Sequence, residues 1–254
     1  MTDSLGIIPA RYASTRFPGK PLAMLGKKPM IQWVYERSSS VFEHLIVATD
    51  DSRIYDAVAG FGGKAVMTAP DHKSGTDRCA EAAALYENES GLSFSYVINI
   101  QGDEPLIQAE QLQTLLDCIH LPDTPIATLI RPMESLEDLE NPNVVKVVVD
   151  LNFKALYFSR APIPRIRDTS PKLNFGDLNY YSHIGLYAFR REVLQDLVLL
   201  NTTQLEEAES LEQLRWMEHG FRIRTALSTL PSLGVDTPED LHSIQMTYKF
   251  LLAP

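Results

Sequence analysis

A short basic segment near the N-terminus carries side chains suited to binding phosphate. Between residues 10 and 20 it contains Arg11, Arg16, Lys20 and Gly19, and no acidic residue. Arginine and lysine donate hydrogen bonds to phosphate oxygens, and glycine lets the backbone approach a ligand closely. The segment is therefore a candidate anion-binding loop, with an ordinary solvated basic loop as the alternative.

Two acidic residues far apart in the chain are candidates for a metal site. Asp103 lies in the segment 101–105, directly after an apolar stretch, and Asp236 lies close to the C-terminus. Mg²⁺ is commonly held by one or two carboxylates together with phosphate oxygens. Asp103 and Asp236 are therefore predicted to hold Mg²⁺ against a bound phosphate, with a solvated turn acid as the alternative for Asp103.

Small polar residues at the predicted start of a helix form a third candidate. This segment contains Ser74, Gly75, Thr76 and Arg78. An exposed helix N-terminus binds an anion or the polar edge of a base through its free N–H groups. Thr76 is also a candidate for the capping residue of this helix, which would give it a purely structural role.

The second half of the chain adds further polar candidates, which are Arg160, Arg165, Arg167, His183, Tyr187, Glu212 and Gln213. His183 and Tyr187 are four residues apart, so on a strand both side chains lie on the same face. A histidine in such a position is often structural, and Glu212 on an acidic helix is often solvated. These alternatives stay open at the level of the residues.

Apolar strands alternate with helices in the first half of the chain. The strands are predicted at residues 5–8, 45–49, 65–67 and 96–100. Such alternation indicates βαβ units and a mostly parallel sheet. Ligands of these sheets bind beyond the carboxyl ends of the strands, which selects the loops 9–20 and 101–105.

The spacing between predicted strands becomes shorter after about residue 125. Strand-like segments at 144–149, 155–158 and 184–189 follow at shorter separations, which predicts a mixed or antiparallel insertion. A helix over 205–218 is predicted to bury a stripe formed by Leu205, Ala208, Leu211 and Leu214. A last helix is predicted from about Thr237 to Leu252, with Thr237 as its cap, Pro238 first and Asp240 completing a capping box.

Composition and motifs exclude several classes of protein. The 254 residues carry a formal charge of −10, which argues against binding nucleic acid or a membrane surface through a broad basic face. The chain lacks GxGxxG, GxxxxGK[ST], HExxH and GxSxG, so common dehydrogenases, P-loop kinases, zincins and serine hydrolases are disfavoured. We expect Cys79 and Cys118 to be buried thiols, and a cytoplasmic location, because no signal peptide or membrane span is evident.

Motifs in order across nearly the whole chain resemble the 3-deoxy-manno-octulosonate cytidylyltransferases, the CMP-Kdo synthetases of the sugar-nucleotide transferase superfamily. The matching segments are Ile7–Leu22, Val47–Asp51, Ser74–Arg78, Asn99–Pro105, Ala155–Arg160, His183–Tyr187, Leu211–Arg215 and Gly234–Asp240. The first loop and the acid after a central strand are shared by the superfamily. The QGDEP, YFSR and LEQLR strings narrow the likeness to this family.

The resemblance implies a single nucleotidyltransferase domain over residues 1–254. Its α/β fold would have a mostly parallel, Rossmann-like sheet flanked by helices, with a mixed or antiparallel insertion at about 125–220 for sugar binding and dimerisation. The implied reaction joins CTP and 3-deoxy-D-manno-octulosonate (Kdo) to form CMP-Kdo and pyrophosphate. It would activate Kdo for lipopolysaccharide biosynthesis, with Mg²⁺ as cofactor and a homodimer as the assembly.

The resemblance also implies roles for the candidate residues. Arg11, Arg16, Lys20 and Asp103 would be catalytic, and Asp103 and Asp236 would bind metal. Nucleotide binding would involve Ala10, Arg11, Lys20, Ser74, Gly75, Thr76, Arg78 and Gln101. Kdo binding would involve Gln101, Arg160, Arg167, His183, Tyr187, Glu212 and Gln213.

Two positions depart from the usual family pattern. Asp77 replaces a glutamate, and Ser182 stands where a basic residue often precedes the HIG-type strand. The second departure leaves open how the sugar side of the pocket balances its charge. The alternatives are a related enzyme that activates a sialic-acid-like sugar, and a non-catalytic anion-binding protein on the same fold.

Overall fold

The structure is a computed structural model that describes residues 3–13, 16–166, 176 and 178–248. The chain forms two compact units, Met1–Leu112 with Pro231–Pro254, and Gln113–Leu230. The region expected to hold the insertion, about residues 125–220, lies within the second unit. None of the described helices is both long enough and apolar enough to span a membrane.

Strands and helices alternate along most of the described chain. The strands are β1 (Ser4–Ala10), β2 (Met24–Leu25), β3 (Lys28–Pro29), β4 (His44–Thr49), β5 (Ala65–Met67), β6 (Tyr96–Asn99), β7 (Ile126–Pro132), β8 (Lys146–Val149), β9 (Ala155–Ser159), β10 (Tyr181–Arg190) and β11 (Ile223–Leu227). The helices are α1 (Met30–Ser38), α2 (Ser52–Gly60), α3 (Gly75–Ser90), α4 (Ala109–Ile119), α5 (Leu136–Glu140), α6 (Arg191–Leu197), α7 (Gln204–Glu209), α8 (Glu212–Glu218) and α9 (Pro238–Thr247).

The first unit contains a parallel sheet in the order β6-β1-β4-β5. Helices α1, α2 and α3 pack against these strands. Because a parallel strand covered by helices is buried on both faces, it is a continuous apolar run rather than an alternating one. Leu5, Ile7 and Ile8 of β1 are fully buried accordingly. The four strands predicted from the sequence are confirmed.

The second unit is mixed, as the shorter spacing of its strands predicts. Strand β10 runs antiparallel to β7 and β8, β8 runs antiparallel to β9, and β11 runs parallel to β7. The register of β10 on β7 shifts between Ile184 and Tyr187, which marks a bulge. The α/β fold with a mostly parallel sheet and an antiparallel part is therefore confirmed.

The helix predicted over 205–218 is wrong in one respect, because the structure has two helices there. Ser210, between α7 and α8, has a φ of 51° and ends α7 in the left-handed region. The Arg160 guanidinium binds the backbone carbonyls of Glu209 and Ser210, which favours a turn at this point. The predicted buried stripe is consequently wrong in its first half, where Leu205 and Ala208 are exposed.

The structure identifies the residues that cap α3 and α9, for which the sequence offers candidates. Ser74, rather than Thr76, caps α3, and its hydroxyl accepts a hydrogen bond from the N–H of Asp77 while the Asp77 carboxylate accepts from Ser74 N–H. Thr237 caps α9 with Pro238 first and Asp240 in the reciprocal position, as predicted. Residues 249–252 of the predicted last helix lie outside the described residues.

Candidate active site

The loop after β1 brings Lys20 inward through a turn that requires glycine. Gly19 has a φ of 73°, and a Cβ there would lie about 3.1 Å from the ring of Tyr12. The backbone N–H of Gly19 donates to Tyr12 O at 2.9 Å, and the Arg53 guanidinium lies 3.3 Å from the centre of the Tyr12 ring. Together these contacts hold the end of the loop, where a short 3₁₀ turn begins at Lys20.

Lys20 contacts both acids of the predicted metal site. Its Nζ donates to Asp103 Oδ2 at 2.6 Å and to the carbonyl of Val235 at 2.7 Å, and lies 3.6 Å from Asp236 Oδ1. Arg16 reaches the same Asp236 oxygen at 2.9 Å. Asp103 and Asp236 are 133 positions apart in the sequence, and both carboxylates therefore lie beside the same ammonium group, that of Lys20. Lys20 is mostly buried, whereas Arg16 is exposed.

Asp103 is placed by a close approach of two backbones. A Cβ on Gly102 would lie 2.9 Å from the carbonyl oxygen of Pro9, so only glycine fits without a shift of the chain. Val235 N–H donates to Asp103 O at 2.9 Å and brings the segment of Asp236 to this loop. The loops after the adjacent parallel strands β1 and β6 thus meet at the carboxyl ends of the strands, where the topology predicts a ligand site.

These groups line a cavity of about 300 Å³ within the first unit. The predicted site residues on its wall are Ala10, Arg11, Arg16, Lys20, Ser74, Gly75, Arg78, Gln101, Asp103 and Asp236. Thr76 is buried and is not part of this wall. A wall with five basic side chains, counting Lys73, suits an anion of high charge, because each cation offsets negative charge in a confined space.

Arg78 is a buried cation of the cavity wall that is paired with an acid of the protein itself. It is 3% exposed, and its guanidinium binds Asp50 at 3.0 Å and the hydroxyl of Thr68. This pairing fixes the plane of the guanidinium at the edge of the cavity. Arg78 is therefore rigid, whereas Arg11 at the mouth of the cavity is exposed.

The two carboxylates beside Lys20 suit a divalent cation whose other coordination positions are filled by a bound ligand and water. Asp103 and Asp236 each place a carboxylate oxygen within 4 Å of the Lys20 ammonium, so this position already suits positive charge. Within the described part of the chain, no group of three or more His, Cys, Asp or Glu side chains is arranged to hold a metal. Two carboxylates leave the other positions to phosphate oxygens and water, as Mg²⁺ prefers.

His72 and Lys73 line the cavity but were not selected as site residues from the sequence. The Nε2 atom of His72 forms a short hydrogen bond with a carboxylate oxygen of Glu81, which also accepts from Ala69 N–H at 2.8 Å. Glu81 lies nine residues further on, in α3. The only local signal was the position of both residues directly before the SGTDR segment.

The second unit holds His183 and Tyr187 in an aromatic cluster with Phe158. The ring of His183 lies 5.0 Å from that of Phe158 and 5.3 Å from that of Tyr187. Thr128 Oγ1 donates to Leu186 O at 2.7 Å and therefore accepts from His183 Nε2 at 2.9 Å, which selects the neutral Nε2–H tautomer.

Burial in this cluster acts on both titratable groups. Burial lowers the pKa of His183 to about 3, so the imidazole is neutral at pH 7. Burial, together with the nearby Glu212 carboxylate, raises the pKa of Tyr187 well above its usual value. The buried hydroxyl of Tyr187 has no hydrogen-bond partner among the described residues, which is unusual for a buried polar group.

The remaining sugar-side candidates have structural contacts. The Arg160 guanidinium donates to the carbonyls of Glu209, Pro142 and Ser210 at 2.7, 3.0 and 3.4 Å. Glu212 accepts from Arg215 at 2.8 Å. Gln213 is buried, and Arg165 carries an exposed side chain. Arg167 lies outside the described residues. The structure therefore gives Arg160 a role in holding the turn between α7 and α8.

Comparison with known families identifies the chain. The sequence pattern of the family described as Cytidylyltransferase matches residues 5–223. The chain belongs to this cytidylyltransferase family. The matched region contains every predicted site residue except Asp236, which lies just beyond its end.

Named cytidylyltransferases are similar over nearly their full length. The 3-deoxy-manno-octulosonate cytidylyltransferase of Phocaeicola vulgatus is 53% identical over 240 residues, which cover 93% of this chain and 94% of the relative. That of Syntrophobacter fumaroxidans is 52% identical over 243 residues, covering 94% of each. By name, both relatives transfer a cytidylyl group to 3-deoxy-manno-octulosonate.

Solved structures of cytidylyltransferases agree with the fold. A CMP-2-keto-3-deoxy-manno-octonic acid synthetase in complex with CTP matches with a TM-score of 0.87 and 44% identity, covering 98% of this chain and 99% of that one. A cytidylyltransferase of Leptospira borgpetersenii matches with a TM-score of 0.63 and 15% identity, covering 100% of this chain and 89% of that one. The second likeness concerns the fold alone.

Proposed function

We propose that this chain is a 3-deoxy-manno-octulosonate cytidylyltransferase. It transfers CMP from CTP to the anomeric hydroxyl of Kdo and releases pyrophosphate, which activates Kdo for lipopolysaccharide biosynthesis. The observation that carries the proposal is the contact of the Lys20 ammonium with both Asp103 and Asp236 on the wall of a basic cavity. The similarity to named enzymes of this activity over more than 90% of the chain supports it.

The cavity supplies the groups that nucleotidyl transfer needs. Arg11, Arg16 and Lys20 bind the triphosphate of CTP and offset charge as pyrophosphate leaves. Both reactants are anions, so these cations reduce the repulsion between them and help to align the sugar hydroxyl with the α-phosphorus. The nucleotide is also contacted by the group Ala10, Ser74, Gly75, Thr76, Arg78 and Gln101, in which the buried Thr76 acts through the backbone of the α3 N-terminus.

Nucleotidyltransferases typically use a divalent metal ion. In this chain Asp103 and Asp236 would hold Mg²⁺, and the chemistry it supplies when bound is Lewis-acid stabilisation of phosphate oxygens. Arg16 and Lys20 hold these two carboxylates close to one point before the nucleotide binds, since each contacts at least one of them. Both cations are also long enough to bind phosphate oxygens instead.

The sugar-binding group comprises Gln101, Arg160, Arg167, His183, Tyr187, Glu212 and Gln213. Neutral His183 and the unpaired hydroxyl of Tyr187 offer hydrogen bonds suited to sugar hydroxyls. Arg160 is the candidate partner for the Kdo carboxylate, with the donors that its three carbonyl contacts leave free. The enzyme is proposed to act as a cytoplasmic homodimer, with the insertion at about 125–220 as the dimer contact.

Pyrophosphate release tests this function directly. Each of CTP, UTP, ATP and GTP is supplied with Mg²⁺ and either Kdo or N-acetylneuraminic acid. We expect rapid release only with CTP and Kdo. Turnover with N-acetylneuraminic acid in place of Kdo would favour the sialic-acid type of enzyme, and no turnover with any pair would favour a non-catalytic anion-binding protein.

A variant of the metal site provides the matched test of mechanism. Asp103→Asn keeps the shape of the side chain and removes its charge, and we expect kcat/KM to fall by about a hundredfold or more. Asp56→Asn removes a comparable carboxylate from the exposed surface of α2 and serves as control, with unchanged kinetics. Full activity of Asp103→Asn would exclude the metal-binding role of Asp103.

A further inference from the structure

Glu104 is a buried acid next to Asp103, one of the two proposed metal ligands, and the proposed reaction does not use it. It is not among the residues that line the cavity, and it is only 7% exposed. Its carboxylate accepts a hydrogen bond from Ser232 Oγ at 2.8 Å. A buried carboxylate is costly unless it is hydrogen-bonded, so this bond indicates a position that the fold specifies.

The bond joins two loops that are distant in the sequence. Glu104 follows Asp103 directly, and Ser232 lies in the segment that leads to Asp236 four residues later. The two loops also meet through the backbone bond from Val235 N–H to Asp103 O at 2.9 Å. The side-chain bond of Glu104 is thus a second, buried connection between the segments that carry the two carboxylates.

The two connections act at different points of the second segment. The backbone bond holds Val235, which is adjacent to Asp236, and the side-chain bond holds Ser232, three residues earlier. Val235 is also held by Lys20 Nζ, which donates to its carbonyl at 2.7 Å. The bond to Ser232 adds a restraint three residues earlier, and restraints at two separate points fix both the position and the direction of a short segment. Without the bond to Ser232, Asp236 would keep its contacts with Arg16, Lys20 and Asp240, but the chain that leads to it would lose a buried restraint.

We propose that Glu104 is a positioning residue, whose hydrogen bond to Ser232 holds the Asp236 segment against the Asp103 loop. The bond keeps both carboxylates at the spacing that a shared divalent cation needs. This role rests on the proposed metal site of Asp103 and Asp236. Glu104 touches neither substrate nor metal, so its effect is indirect and is exerted through the backbone of both loops.

The test measures cation binding separately from turnover. Mn²⁺ is titrated into the full-length protein with CTP and without Kdo, and free Mn²⁺ is followed by electron paramagnetic resonance. We expect Glu104→Ala and Ser232→Ala each to weaken Mn²⁺ binding about tenfold, at the low end for groups that support metal ligands indirectly. We expect Glu104→Gln to bind as the wild type does, because its amide oxygen still accepts from Ser232.

A control and a double variant make the result specific. Ser228→Ala removes another buried hydroxyl, which accepts from Leu230 N–H rather than serving Glu104, and should leave Mn²⁺ binding unchanged. The double variant Glu104→Ala with Ser232→Ala should bind no more weakly than either single variant, because both remove the same bond. Thermal unfolding of every variant identifies any that fail to fold, and Ser232→Ala tests the bond if Glu104→Ala does not fold.

The outcomes separate this inference from the proposed function. Wild-type Mn²⁺ binding in both Glu104→Ala and Ser232→Ala would overturn the positioning role, and so would equal losses in Glu104→Gln and Glu104→Ala. An absence of turnover by the wild type with CTP and Kdo would overturn the proposed function instead. The Mn²⁺ titration would still decide the role of Glu104 in that case.

Discussion

The buried imidazole of His183 makes the stability of the protein depend on pH in a defined window. The pKa of His183 is lowered to about 3 in the folded protein, whereas an unfolded histidine titrates near 6.5. The unfolded chain therefore binds the proton first as the pH falls. The contribution of neutral His183 to stability is fully present above pH 6.5 and is lost progressively from there towards pH 3.

The size of the effect follows from the two pKa values. The interval from pH 6.5 to pH 5 spans 1.5 pH units. At 1.36 kcal/mol per unit, the free energy of unfolding falls by about 2 kcal/mol over this interval. This figure is an upper value, because His183 is not completely shielded from solvent. We expect His183→Gln to abolish this part of the pH dependence, since glutamine does not titrate but still bonds to Thr128.

The assay is urea unfolding of the wild type and the variant at pH 7 and at pH 5. The quantity of interest is the loss in free energy of unfolding between the two pH values, because contributions of all other groups are common to both proteins. His242→Gln, which removes an exposed histidine on α9, is the matched control and should behave as the wild type. Equal losses in wild type and His183→Gln would refute the argument from burial.

Three further substitutions test local features of the fold. Gly102→Ala places a methyl group 2.9 Å from the carbonyl oxygen of Pro9, so we expect calorimetry to show CTP binding weakened about tenfold. Gly60 lies on α2, and a Cβ added there would have no atom within 4 Å. Because alanine loses less backbone entropy than glycine on folding, we expect Gly60→Ala to raise the free energy of unfolding by about 0.5–1 kcal/mol. Thr237→Ala removes the capping hydroxyl that accepts a hydrogen bond from Asp240 N–H, so urea unfolding should show a free energy of unfolding about 1 kcal/mol lower. The opposite sign in any of these measurements would contradict the packing described.

Short-range patterns carry much of the fold in this chain. The apolar runs of β1 and β4 and the cap at Thr237 follow from neighbouring residues, because burial on both faces and capping act within a few positions. The helix over 205–218 was predicted as continuous because its apolar spacing is regular. The break at Ser210 is contacted by the Arg160 side chain, which lies 50 positions away in the sequence and therefore leaves no local pattern.

The candidate site shows the same division. Lys20, Asp103 and Asp236 are all selected from their sequence surroundings, and the family resemblance adds the sugar-binding and nucleotide-binding roles of other residues. The bond between His72 and Glu81 and that between Glu104 and Ser232 follow from the tertiary structure alone, since an acid that pairs with a histidine or hydroxyl outside its own motif has no sequence signature. The carboxylate of Glu104, with its pKa raised by burial to about 7, looks like any other loop acid in the sequence.

The sequence by itself determined which chemical groups are present, the parallel order implied by alternating elements, and the loops in which the cations and acids lie. Only the tertiary structure decided which of these groups contact one another. The physical reason is that a charge or hydrogen bond acts over a few ångströms, and chain folding alone brings residues more than a hundred positions apart to that distance. An acidic chain of net charge −10 can therefore gather Arg11, Arg16, Lys20, Lys73 and Arg78 around one cavity suited to an anion.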